Sequence, residues 1–274
     1  MSRCAEGRPL ILALADGHGS PRCMRSQRGA RLAVAVAHLI RGHLAAKSNL
    51  SYIKHWAEEQ LPLELVRHWR ERVERLVARE PFTPDELEPL DAKTRRDLEI
   101  DPHIGYGTTL MAVVVAPTFV FYLQLGDGDI LTVSADGEVA RPLPRDERLI
   151  ANETTSLCTP QAWNETRVVF QALAGAPPAL ILAATDGYAN SFRDAAGFEQ
   201  VARDLWAMIR EEGWDPVRKQ IKDWLGEASE LGSGDDISIA VAARVEAEPL
   251  SDDRQLKLEL DADADERFTP TETP

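Results

Sequence analysis

Cysteine is scarce in this chain of 274 residues: Cys4, Cys23 and Cys158 are widely separated and form no C-x-x-C pair. That excludes a disulfide framework and a thiolate zinc site, so the three read as ordinary small apolar residues. Long apolar runs are also missing. "LAVAVAHLI" and "MAVVVAPTFVFYL" fall short of the roughly 20 residues that cross a bilayer, and the N-terminus lacks the pattern of a secretory leader. A cytoplasmic protein with no membrane segment is the expectation. Positive charge is in deficit, with 31 Lys and Arg against 45 Asp and Glu and a net charge of −14. Such a balance opposes binding to a phosphate backbone, so no nucleic-acid partner is expected. No repeat of about 20 to 50 residues is visible, which excludes a solenoid or propeller.

What is present is a chain 44% hydrophobic and 28% charged, rich enough to bury a substantial core. Residues 245–274 hold ten acidic and three basic side chains with little apolar periodicity. They read as a disordered acidic tail over 246–274, serving solubility or the docking of a basic partner. Upstream, "RGARLAVAVAHLIRGHL" and "SYIKHWAEEQLPLELVRHWRERVERLVARE" have helical spacing, the second interrupted near Pro62. "TPDELEPLDAKTRRDLEI" opens with proline and acids, as helix N-termini do. "GTTLMAVVVAPTFVFYLQLGDGDILTVSADGEV" reads as an antiparallel meander of three strands. Helices around "FEQVARDLWAMIREEG" and "PVRKQIKDWLGEAS" precede a last strand, "ISIAVAARV". Helices and strands come in separate blocks, which favours an α+β sandwich over a βαβ sheet.

The chemistry is concentrated in an echo. "LILALADG" at residues 10–17 returns as "LILAATDG" at residues 180–187. An apolar strand buried on both faces, ending in Asp-Gly, holds a carboxylate at the rim of the core, and glycine permits a close approach beside it. Asp235 and Asp236 precede another strand, and Asp127 and Asp129 stand at a strand end. Carboxylates gathered at one rim repel one another unless cations intervene. The chemistry indicated is hydrolysis assisted by Mg²⁺ or Mn²⁺, in which bridged water attacks a phosphoryl group in line.

"ADGHGS", "GYGTTLMAVVV", "LGDGDI", "LAATDGYANSF" and "GDDISIAV" occur in this order between residues 10 and 245. Together they resemble the PPM/PP2C family of metal-dependent protein serine/threonine phosphatases, in its compact bacterial branch. The resemblance implies a four-layer α/β/β/α sandwich of two antiparallel sheets flanked by helices, with a phosphatase domain over residues 1–245. It implies hydrolysis of phosphoserine and phosphothreonine by a metal-bridged water, with two Mn²⁺ or Mg²⁺ ions. Asp16 matches the bridging carboxylate, the Gly17 carbonyl a further ligand, and Asp186 and Asp235 the remaining ligands. Asp127 matches the ligand of a weaker third ion, although Gly128 replaces the family's serine. His18 matches the histidine that protonates the leaving alkoxide. A phosphoprotein substrate, a cognate serine/threonine kinase as partner, a role in bacterial signalling and a monomer follow by analogy.

One element of the pattern is missing. The family carries an arginine for the substrate phosphate and an acidic metal ligand before the Asp-Gly-His-Gly strand, yet fifteen residues precede Asp16. Arg3, Glu6 and Arg8 are the residues on offer there, and Glu6 stands too close to the strand. Weakened metal binding and activity are expected, and a catalytically impaired module that binds and regulates a phosphoprotein or kinase is the alternative. "DGDIL" superficially resembles an aspartyl-nucleophile motif but has Leu131 where Thr or Val belongs and is followed by a strand. A P-loop is excluded because no Gly-Lys-Ser/Thr ending follows "GHGSPRCMRSQRG".

Overall fold

Alternation of side chains along the strands of the described residues sorts the apolar residues into separate cores, and this sorting defines the layers. The computed structural model describes residues 9–46, 49–145 and 155–244. The strands are β1 (Leu10–Leu14), β2 (Leu110–Val115), β3 (Phe119–Leu125), β4 (Asp129–Val133), β5 (Val139–Ala140), β6 (Arg167–Ala172), β7 (Leu180–Ala184) and β8 (Ile239–Ala243). They form two antiparallel sheets, β1-β2-β3-β6 and β5-β4-β7-β8. Met111, Val113, Val120 and Tyr122 of the first sheet meet Ile130, Ile181 and Ala183 of the second in the core between the sheets. Leu110, Ala112, Val114, Phe119, Phe121 and Leu123 face the opposite way, toward helices. Each large aliphatic or aromatic side chain fully buried in this way contributes about 2 kcal/mol.

The helices are α1 (Ser26–Val34), α2 (Val36–Ala46), α3 (Leu50–His55), α4 (Leu61–Arg79), α5 (Pro84–Leu87), α6 (Ala92–Ile100), α7 (Ala162–Glu165), α8 (Asp186–Ala189), α9 (Ala195–Glu212) and α10 (Trp214–Ala228). Ala33, Ile40, Trp56, Leu65, Trp69 and Val73 cover the outer face of the first sheet. Phe198, Ala202, Leu205, Trp206 and Ile209 of α9 and Val217 of α10 cover that of the second. Among the described residues, no helix is long and apolar enough to cross a membrane.

Several expectations change in detail. The three-strand meander is not one sheet: β2 and β3 pair, but the chain crosses to the other sheet at Gly126–Gly128, where β4 pairs with β7 instead. The long N-terminal helical runs are each divided. α1 stops before Ala35, and a π-helical turn at Trp56–Gln60 separates α3 from α4, whose first turn contains Pro62. "TPDELEPLDAKTRRDLEI" makes two helices because it holds two caps, Thr83 with Glu86 in a capping box and Asp91 accepting from the Thr94 amide. β1, expected to be buried on both faces, is an edge strand among the described residues and is half-buried along its length. β7 is fully buried, as its continuous apolar run predicts. The acidic tail at 246–274, together with Arg3, Glu6 and Arg8, lies outside the described residues.

Candidate active site

The two Asp-Gly echoes each follow the end of a strand, one in each sheet. At the end of β1, Asp16 is latched to β2: its amide donates to Thr109 Oγ1 at 3.0 Å, and its carbonyl accepts from the Thr109 amide at 2.8 Å and Thr108 Oγ1 at 2.7 Å. Gly17 continues as a β-bridge to Thr108, and the His18 amide donates to the Gly107 carbonyl at 3.1 Å. Gly17 serves close packing: a Cβ there would stand 2.9 Å from the Ser26 backbone, so glycine is what lets α1 start against the loop.

At the end of β7, the Thr185 amide donates to the Ser238 carbonyl and the Ser238 amide to Thr185 Oγ1, both at 3.0 Å. This pins the start of α8, and hence Asp186, to the approach of β8. A Cβ on Gly187 would meet the Asp236 carbonyl at 2.8 Å and the Asp235 Cβ at 3.2 Å. The absence of a side chain there brings the Asp186 and Asp235 segments together. The Asp235 carbonyl accepts from Ser229 Oγ at 2.7 Å, and its carboxylate accepts from the Asp236 amide at 2.8 Å.

Asp127 sits at the crossover between the sheets, exposed between two glycines. Gly126 has φ +108°, and a Cβ on it would lie 2.5 Å from the Thr109 side chain. The buried Gln124 side chain donates to the carbonyls of Gly126, at 3.2 Å, and Gly128. These contacts hold the backbone on both sides of Asp127.

These residues act on one another electrically. Burial and the carboxylates of Asp186, Asp235 and Asp127 push the Asp16 carboxyl up to about 7, and its side chain shares a hydrogen bond with Asp186. Asp186 is likewise raised, first by burial and then by Asp127 and Asp235. His18 is lowered by burial, with Asp127 opposing the shift and Arg22 adding to it. Its ring packs on Gly107, with Cδ2 2.8 Å from where a Cβ would be; Cys23 Sγ is 3.0 Å and Cys158 Sγ 3.3 Å from the same point. Cys23 and Cys158 are free thiols, Cys23 buried and Cys158 half-buried.

Asp16, Asp127, Asp186 and Asp235 are thus brought together, with Gly17 and His18 beside them. Asp129 departs from the cluster. It opens β4, is 5% exposed, and pairs with Arg141 and with Arg145 at 3.4 Å, so its charge is neutralised within the core. Among the described residues, no group of three or more His, Cys, Asp or Glu side chains is placed to hold a metal ion as the side chains stand. In kind and charge the four carboxylates fit hard divalent cations, which would relieve the repulsion that adds to burial in raising Asp16. Thr108, Thr109 and Gln124 escape a reading of titratable motifs. The signal for the two threonines was the Gly-Thr-Thr run before β2, where hydroxyls at a strand entry can bond a neighbouring backbone.

Two antiparallel sheets packed face to face under helices, with an acidic rim at the ends of strands from both, put the chain in the α/β/β/α sandwich class of phosphatases. A sequence profile described as Protein phosphatase 2C matches residues 2–226, and the chain belongs to that family. No curated protein sequence matches it significantly. Solved structures with the same fold include a bacterial serine phosphatase, 12% identical over 87% of each chain with a TM-score of 0.55. The catalytic domain of the serine/threonine protein phosphatase PstP in complex with two manganese ions is 17% identical over 89% of this chain and 91% of that one, with a TM-score of 0.52. Stp1 from Staphylococcus aureus is 11% identical over 86% and 84%, with a TM-score of 0.51.

Proposed function

We propose that this chain hydrolyses phosphoserine and phosphothreonine in proteins with the help of two Mn²⁺ or Mg²⁺ ions. The observation that carries this reading is the convergence of Asp16, Asp186, Asp235 and Asp127 from four separate segments, whose repulsion adds to burial in pushing the Asp16 carboxyl up to about 7. Asp16, Asp186, Asp235 and the Gly17 carbonyl would hold the two ions, and Asp127 a weaker third. When bound, such ions supply a nucleophile at neutral pH and neutralise charge on the phosphoryl group. The protein's own part is positional. The Thr108 and Thr109 latch keeps the Asp16 backbone from moving as charge changes at its carboxylate. The close approach at Gly187 fixes the spacing of Asp186 and Asp235.

His18 is the group assigned to give a proton to the departing Ser or Thr oxygen, a transfer that requires about 3 Å between heavy atoms. Its packing on Gly107 limits the directions the ring can take. All these groups belong to one chain, which supports action as a monomer on a phosphoprotein substrate, with a serine/threonine kinase supplying that substrate.

The test is turnover of p-nitrophenyl phosphate and of a phosphothreonine peptide with Mn²⁺, with EDTA, and in Asp16→Ala. Metal-dependent release of phosphate, lost by a factor of about 1,000 or more in the folded variant, is expected. A folded wild-type chain with no turnover in Mn²⁺ or Mg²⁺ would overturn the reading and leave the regulatory binding module in its place.

A further inference from the structure

Several arginines around the first helix are committed to partners, while the exposed Arg31 has no ion pair among the described residues. Arg25 pairs with Glu86, Arg28 with Glu80, and Arg70 with Asp101. Arg22 is exposed and has no ion pair among the described residues. It lies in a single 3₁₀ turn, Pro21–Cys23, that directly follows His18-Gly19-Ser20. Cys23 of this turn is buried against Gly107, where the His18 ring also rests, and its amide donates to the Ser20 carbonyl at 2.8 Å. With Cys23 inside, Arg22 is exposed on the same short turn, and its charge acts on Cys23, His18 and Cys158. The groups acting most strongly on Asp16 and Asp186 are carboxylates. His18 therefore stands between the Asp16-Gly17 strand end and the turn that carries this exposed cation, since its ring and Cys23 of that turn pack on the same Gly107. Lys93 feels the same guanidinium but is paired with Asp97 at 2.8 Å.

We propose that Arg22 is a specificity-determining residue, whose guanidinium binds an acidic side chain of the substrate peptide next to the phosphorylated residue. The inference rests on the phosphatase reading above. If His18 protonates the leaving oxygen, the phosphoresidue's side-chain oxygen is at its ring, and neighbouring residues along the peptide follow at 3.8 Å per Cα step. They pass the group that stands beside His18 on the side of the 3₁₀ turn, which is Arg22. A chain of net charge −14 with an acidic rim repels acidic peptides in general, so one cation there sets which acidic sequences are admitted.

The experiment compares phosphothreonine peptides that carry Glu or Ala at positions adjacent to the phosphoresidue, with wild-type protein, Arg22→Ala, Arg22→Lys and Arg22→Glu. The quantity read is the ratio of kcat/KM for the Glu peptide to that for the Ala peptide. A ratio of about 5 in the wild type, the worth of one partly exposed charge pair, is expected to fall to about 1 in Arg22→Ala, return in part in Arg22→Lys and drop below 1 in Arg22→Glu. A general loss of structure lowers both terms and leaves the ratio alone. The same peptides, fluorescein-labelled, are titrated by anisotropy. If the wild type binds but does not turn over, the phosphatase reading fails while the ratio of Kd values still decides the role of Arg22. Ratios that are equal in all four proteins, by both measurements, overturn the proposal.

Discussion

Replacing Arg25 by methionine keeps most of the buried volume and removes the charge. Arg25 is 7% exposed, and its guanidinium donates to both Glu86 carboxylate oxygens at 2.7 and 2.8 Å, to the Glu80 and Pro81 carbonyls at 2.6 and 2.9 Å, and to the Tyr106 hydroxyl at 2.9 Å. It also lies 4.7 Å from the centre of the Phe82 ring. Its amide donates to Gly105, so the residue ties α1 and the 80–86 segment to the turn that leads into Gly107 and Thr108. Methionine leaves a buried hydroxyl and two carbonyls without their donor, and the expected cost is about 4 kcal/mol. For a domain of this size that lowers Tm by about 10 °C.

Glu86→Gln isolates the ionic part. The hydrogen bond from Arg25 holds the Glu86 carboxyl down at about 2, against an ordinary value of 4.5. A depressed carboxyl contributes stability that is complete above its ordinary value and is lost as pH falls toward the folded one. The full shift is worth about 3 kcal/mol, and screening by water at a side chain 28% exposed reduces it to about 2. Urea unfolding should therefore separate wild type from Glu86→Gln by about 2 kcal/mol near neutral pH, and by clearly less near pH 3. A gap that stays constant over this range, or an Arg25→Met cost below about 1 kcal/mol, refutes the account.

Asp129→Asn should cost about 3 kcal/mol in urea unfolding by stranding Arg141 in the core, yet leave the Mn²⁺ concentration needed for half-maximal turnover unaltered, because Asp129 is outside the acidic cluster. Gly107→Ala forces a methyl within 2.8 Å of the His18 ring and is expected to lower kcat/KM on p-nitrophenyl phosphate at least about 10-fold, since a misplaced proton donor loses most of its effect. Mn²⁺ at about 100 times its Kd should stabilise the wild type by about 3 kcal/mol in a thermal melt and do much less for Asp16→Ala. Gly42→Ala, in a helix and with nothing within 4 Å of the new methyl, should raise stability by about 0.5 to 1 kcal/mol.

Some of this was written locally in the chain. The continuous apolar run of β7, the glycine and acid after it, and the capped starts of α5 and α6 depend on neighbours within a few residues, and their physics can be read from order alone. The recurrence of Asp-Gly at two strand ends likewise pointed to a rim of carboxylates, because a strand fixes where its last side chain must stand. The tertiary structure decided the questions that involve distant partners. Asp127 and Asp129 are two residues apart and chemically alike, but one is exposed in the loop between Gly126 and Gly128 while the other is buried against Arg141 and Arg145. β4 follows β3 in the chain and leaves it for β7, because the Gly126–Gly128 crossover carries it into the second sheet. Arg22 and Arg25 are equally basic in the sequence; one is consumed by Glu86 and the other is left facing solvent beside His18. Charge and apolarity are properties of a residue, but whether a charge is spent or available depends on which remote segment folds against it.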